Sequence, residues 1–199
     1  LWHVVQPLMT TMMFTIIFGK FAKLGTDGSP HVLFYMSGLL IWAYFVQCFD
    51  SVAYSLVNNV ALFSKVYFPR LIIPLSSLTS RLFPFLVQLA LFASIYLYYS
   101  LSTDWSASLH PNKVLLLIPV FLLQTAIVSL GTGLWIAVLT IKYKDIGHFL
   151  PFFLQLFMYA TPIIYPSSKI PPRFHFLLII NPLAPIIEGF RYALFSTGF

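Results

Sequence analysis

The chain has 199 residues, of which 59% are hydrophobic and only 8% charged, and its net charge is +6. A soluble domain carries about 25% charged residues and needs a polar outer face, so this composition excludes a soluble bundle and fits an integral membrane protein. The basic residues are scattered rather than gathered in a stripe, which argues against a nucleic-acid surface, and the single cysteine, Cys48, excludes a disulfide framework or a cysteine metal site.

The charges cut the chain into uncharged blocks: Leu1–Gly19, Val32–Phe49, Leu82–Thr103, Val114–Ile141 and Phe149–Ser168. A helix rises about 1.5 Å per residue and a bilayer core is about 30 Å thick, so roughly 20 apolar residues cross it. The blocks therefore predict an all-α polytopic transmembrane bundle with about five spanning helices. Helix 1 is expected over Leu1–Phe18, followed by a turn with Lys20, Lys23, Asp27, Gly28 and Pro30. Helix 2 covers Val32–Val57, with Asp50 near one end, and the polar stretch Asn58–Arg70 follows. Helix 3 covers Leu71–Leu101 and contains Pro74, Arg81 and Pro84, so its first part is expected to be kinked or broken. The loop Ser102–Lys113 leads to helix 4, Val114–Thr140, where Ser129, Gly131 and Gly133 suggest close helix packing. The loop Ile141–His148 precedes helix 5, Phe149–Tyr165.

The remainder has a different character. Pro166–Arg173 is rich in Pro and Ser, and the apolar run Phe174–Ile187 is interrupted by Asn181, Pro182 and Pro185, with Glu188 and Arg191 after it. Such a run is too short and too broken to span alone. It is expected to be re-entrant or interfacial, beside a pathway, because irregular backbone at membrane depth needs protein or water around it. Lys65, Arg70, Lys142 and Lys144 fall on one side of the bundle. Lys20, Lys23, Lys113, Lys169, Arg173 and Arg191 fall on the other. The positive-inside count does not place the first set in the cytoplasm.

The acids Asp27, Asp50, Asp104, Asp145 and Glu188 stand apart, and the histidines show no ligand spacing, so no metal is expected. No phosphate-binding loop or nucleophile elbow is present, and an enzyme active site is not expected. Arg81, inside an apolar stretch, is either a pathway residue or one that snorkels to the interface. Trp42, Tyr44, Tyr159 and Tyr165 either belong to ordinary apolar and interfacial packing or line a sugar path. Tyr96, Tyr98 and Tyr99 fit an interfacial belt. The basic-aromatic segments Lys65–Arg70 and Lys142–Asp145 are either interfacial anchors or docking elements for a soluble partner.

Four stretches carry a resemblance: Leu62–Ser77 (LFSKVYFPRLIIPLSS), Lys142–Gln155 (KYKDIGHFLPFFLQ), Met158–Pro166 (MYATPIIYP) and Asn181–Phe195 (NPLAPIIEGFRYALF). In this order they resemble the type-2 ATP-binding-cassette exporter permeases, most of all the polysaccharide and polyol-phosphate branch. The resemblance implies a single permease domain over 1–199, with five of six helices present. It implies a preceding amphipathic helix and a sixth spanning helix outside this sequence. Lys65, Tyr67, Arg70, Tyr143, Lys144 and Asp145 would couple in the cytoplasm to two copies of an ATPase. That partner, not this chain, would hold ATP and Mg. Two copies of the chain would form a homodimer in the bacterial inner membrane and move a lipid-linked polysaccharide of the O-antigen, capsule or teichoic acid class. Trp42, Tyr44, Arg81, Tyr159 and Tyr165 would lie on its path. Asn181, Pro182, Pro185, Glu188 and Arg191 would sit in short re-entrant helices at the outer mouth. Where many members carry an acid early in helix 3, this chain has Arg81, Pro84 and Gln88. The alternatives are a drug or lipid exporter of the same fold or, from other classes, a secondary transporter, a channel or a membrane-embedded transferase. Those other classes would need intramembrane or clustered acids.

Overall fold

The computed structural model describes residues 2–60, 69, 71–102, 112–143, 145–171, 173 and 175–196. Every regular element among them is helical. The first helix, α1, spans Trp2–Phe14 and continues through the wider π turns of Thr15–Phe21, past the predicted end at Phe18. A turn with Asp27 and Gly28 at positive φ leads to α2, His31–Ala53, and the short α3, Ser55–Asn58. Next come α4 (Ile72–Ser80) and α5 (Leu82–Ser102). A 3₁₀ turn over Lys113–Leu117 starts α6, Ile118–Lys142, and α7 is Ile146–Ala160. Two short helices close the described chain: α8, His175–Ile180, and α9, Ala184–Phe195. Four stretches are long and apolar enough to cross a membrane: 2–21, 31–53, 72–101 and 113–142. The apolar α7 is shorter.

The break expected in the third span falls at Arg81, between α4 and α5. Its cause is Pro84. A helix running through this point would have the amide of residue 84 bonded to the Ser80 carbonyl, and proline has no N–H and crowds that carbonyl. The chain instead closes a tight turn, with the Arg81 amide donating to Leu78.

α2 is the central helix. Tyr35, Ile41, Tyr44, Cys48 and Val52 are fully buried along it. Its neighbours α1, α5, α6 and α9 enclose it, whereas the outer faces of α1 and α6 are bare apolar surface, as lipid requires. The α2–α6 contact is a stripe of small residues on α6, namely Thr125, Ala126, Ser129, Gly133, Ala137 and Thr140, all buried. At Gly133 a Cβ would stand 2.9 Å from the Val52 side chain and 3.2 Å from the Phe49 carbonyl oxygen. The stripe confirms the expected close packing but corrects its membership. Ser129 and Gly133, one turn apart, face α2, while Gly131 looks into open space.

Tyr96 also leaves the expected belt. Its hydroxyl donates to the Leu194 carbonyl at 2.8 Å, tying α5 to α9, while Tyr98 stays exposed.

Candidate transport path and its two ends

The bundle has two chemically different ends. At the end where α2 starts, α8 and α9 pack as a cap, and at the end where α2 finishes lie α3, α4 and the α6–α7 turn.

The cap is held by Arg191. Its side chain is 5% exposed and lies flat on the Phe34 ring, with the guanidinium carbon 3.7 Å from the ring centre. Nη1 donates to the Pro162 carbonyl at 2.6 Å, and Nη2 donates to Ile163 at 2.7 Å and Phe34 at 3.3 Å. One arginine thus joins α9, the turn after α7 and the first turns of α2. Gly38 makes room for it, since a Cβ there would lie 2.6 Å from Nη2. Burial pulls the Arg191 pKa down to about 9, opposed by Glu188, Tyr35 and Asp27, so it remains a cation at neutral pH. Asn181 braces the start of the cap. Its amide donates to Thr161 Oγ1 at 2.8 Å, and its carbonyl oxygen accepts from the Leu183 amide at 3.0 Å. Pro182 and Pro185 are exposed in the turn and first helical positions, where proline's missing N–H costs nothing. The short, proline-broken run predicted between Phe174 and Ile187 is therefore a break between two helices. The arginine that holds it down lies four residues beyond that run.

Beside the cap, Tyr159 and Tyr165 come together. The Tyr165 hydroxyl donates to the Tyr159 carbonyl at 3.0 Å, and with Lys169 and Leu24 they line a cavity of ≈ 430 Å³. Burial pushes the Tyr165 phenol pKa upward, so it stays a neutral donor. Of the predicted path residues, these two share one site. Trp42 and Arg81 share another, a groove of ≈ 570 Å³ between α1, α2 and α5. The Trp42 ring packs on Phe45 and Phe157. Tyr44 belongs with neither pair; it is 1% exposed against Phe85 in the protomer core.

At the opposite end, α6 stops at Lys142, whose ammonium lies 5.2 Å from the centre of the exposed Tyr143 ring. Asp145 opens α7 on the surface, its carbonyl accepting from His148 and Phe149. Lys65, Tyr67, Arg70 and Lys144 lie outside the described residues. The end of α2 is joined to the start of α7 by Tyr54, whose hydroxyl donates to the Gly147 carbonyl at 2.9 Å. That carbonyl is available because Pro151, four residues on, has no N–H to offer it. The chain leading into the Asn58–Arg70 stretch is therefore hydrogen-bonded to the start of α7, next to Tyr143 and Asp145. Nothing in the local sequence marks Tyr54. A proline four residues after a helix-starting glycine was the available signal.

With the geometry in place, comparison with known proteins gives a consistent answer. Residues 1–195 match the profile of the family described as ABC-2 type transporter. The chain belongs to this family. The ABC-2 profile covers the bundle, both ends and the cap as one unit. Among curated relatives, the O-antigen export system permease protein RfbA of Klebsiella pneumoniae is 28% identical over 202 residues, covering all of this chain and 73% of the relative. The protein of the same description from Myxococcus xanthus is 24% identical over 193 residues, covering 96% of this chain and 70% of the relative. As an ABC-2 transporter protein with four long apolar helices and a shorter fifth, the chain is a multi-pass membrane permease.

Proposed function

We propose that this chain is the membrane subunit of an ATP-driven exporter of a lipid-linked polysaccharide, of the O-antigen, capsule or teichoic acid class, in a bacterial inner membrane. Two copies pair around the path, and two copies of a separate ATPase bind the end that carries α3 and the α6–α7 turn, which faces the cytoplasm. The observation that carries this reading is the bond between Tyr54 and Gly147 in a chain of the ABC-2 family. It lets a single push on the cytoplasmic end move α2, α3 and α7 together. The family's relatives named as O-antigen export permeases support the substrate class. ATP and Mg belong to the partner. Coupling requires the ATPase to contact this end differently in its two states, because equal affinity for both shifts nothing.

The deciding experiment is purification of the full-length protein from native membranes in mild detergent. An ATPase with a phosphate-binding loop is expected to accompany it, and to be lost when Lys65 and Arg70 are both changed to Glu. A stable assembly recovered without any ATPase would overturn the reading in favour of a secondary transporter or channel.

The Tyr54 link makes its own prediction. Tyr54→Phe keeps the ring and removes the donor, leaving the Gly147 carbonyl without its partner. A loss of about 1 kcal/mol is expected, seen as a fall of about 2–4 °C in the unfolding midpoint of the detergent-solubilised protein. In the complex, ATPase activity should persist while export per ATP falls. Unchanged export with an unchanged midpoint would remove Tyr54 from the coupling path.

A further inference from the structure

Two cavities meet at Arg81. One is the groove of ≈ 570 Å³ between α1, α2 and α5, walled by Phe14, Met36, Leu39, Leu40, Trp42 and Met158. The other is a cleft of ≈ 440 Å³ at the finishing end of α2, lined by polar side chains that include Asp50, Tyr54, Asn58, Asn59 and Ser77. Gln47 and Arg81 line both. α1 and α2 are joined by a short turn and run antiparallel, so His3 and Gln6 mark the polar end of the groove and Phe14 its apolar depth. Arg81 is held at the junction because its Nε donates to Ser51 Oγ, two residues before the end of α2. That bond uses the inner edge of the guanidinium and orients the fork formed by its two Nη groups. The cation sits at the α4–α5 break, level with the last turn of α2 rather than with its middle, and an arginine close to the end of a span costs less than one at the bilayer centre.

An apolar groove, a fixed cation and a cleft of amides, hydroxyls and one carboxylate, in that order, match the parts of one kind of molecule. We propose that Arg81 is the phosphate subsite for an amphiphile whose hydrocarbon tail lies in the α1–α2–α5 groove. Its first sugar units lie in the Asp50–Asn59 cleft. The inference rests on the export reading and deepens it by naming where the carrier lipid of the polymer is held. A planar guanidinium pairs with two phosphate oxygens at once. The Gln47 and Asn58 amides can donate and accept, while the Asp50 carboxylate and the lone pairs of the Tyr54 and Ser55 hydroxyls, whose protons already go to protein carbonyls, accept, which gives the mixed partners that sugar hydroxyls need. Because Arg81 is also the break between α4 and α5, loading this site touches the joint between the two parts of the third span.

The test uses full-length protein in phosphatidylcholine vesicles and two light-activated probes with the same polyprenyl tail, one ending in phosphate and one in alcohol. Labelled peptides are mapped by mass spectrometry. The phosphate probe should label the peptides carrying Met36, Leu39 and Met158 about tenfold more than the alcohol, the factor expected for a charge-assisted pair. Arg81→Gln should abolish that excess and leave alcohol labelling unchanged, while Arg81→Lys should keep part of it. Ala43→Trp, which fills the groove, should reduce labelling by both. Three results would each overturn the proposal: equal labelling by the two probes, an excess that survives Arg81→Gln, or full displacement by inorganic phosphate, which would mark a simple anion site. Labelling needs neither ATPase nor transport. A failed site therefore shows as a lost phosphate preference with ATPase co-purification intact, and a failed export reading shows as the reverse.

Discussion

Replacing Arg191 with leucine is expected to destabilise the protein by about 3 kcal/mol and to loosen the cap formed by α8 and α9. The carbonyls of Pro162 and Ile163 lie in the turn after α7, and Arg191 supplies both of their donors. A buried acceptor left without a partner costs about 1–3 kcal/mol, more where the lost donor was charged. The Phe34 carbonyl suffers less, since the Ser37 hydroxyl also donates to it at 2.8 Å. Against these losses stands the recovered hydration of a buried guanidinium, which is worth several kcal/mol and keeps the net effect from being larger. The full-length protein in detergent should lose about 6–12 °C of thermal midpoint, and limited proteolysis should cut between α7 and α9. Arg191→Lys should recover only part of the loss, because a single ammonium cannot reach the Pro162 and Ile163 oxygens while lying flat on Phe34. A leucine variant as stable as the parent would show that the turn satisfies its own carbonyls and that the arginine does not hold the cap.

Gly133→Leu should separate α2 from α6 at a cost above about 3 kcal/mol, beyond the usual range for overpacking. The contact has no slack. The atoms a Cβ would meet belong to Val52, a stiff β-branched side chain, and to the Phe49 backbone. Without water between helices, close packing of small residues is a main source of their association in lipid. Gly133→Ala should cost less, and pairing it with Val52→Ala should restore most of the loss. A double-mutant cycle on thermal midpoints would measure that coupling. Gly131→Leu is the control. It faces open space two residues away and should leave stability within about 0.5 kcal/mol. Equal effects at Gly131 and Gly133 would mean that the α2–α6 contact is not set by the stripe.

These two sites show where sequence reasoning reaches and where it stops. The blocks of apolar residues placed the spans, because a helix in lipid must satisfy its backbone within itself and few alternatives exist. The break at Arg81 was readable because Pro84 acts on the Ser80 carbonyl, a purely local effect. The short, proline-broken cap was readable for the same reason. Which faces meet was not readable. All-round apolar helices carry little directional signal, so Gly131 and Gly133 looked alike in the sequence and separate only when α2 is placed between them. Tyr44 and Trp42 are two residues apart on α2, yet one is core and the other lines a groove. The long-range bonds were invisible for a related reason. Tyr54 reaches Gly147 across 93 positions and Arg191 reaches Phe34 across 157, and no spacing rule connects residues so far apart.

The Arg191 clamp also imposes an order on synthesis. Chains are made at about 5–20 residues per second, so the start of α2 leaves the ribosome roughly 10–30 s before the arginine that binds Phe34 exists. During that interval α2 is already apolar enough to enter the bilayer. The turn after α7, whose carbonyls Arg191 will occupy, is made only 28 residues before the arginine and waits open for about 1–6 s. The clamp is therefore closed by a segment too short to span, since α9 has only 12 residues. A nascent chain can have inserted all four of these long apolar helices and still lack its clamp, and the arrival of one late side chain marks the difference.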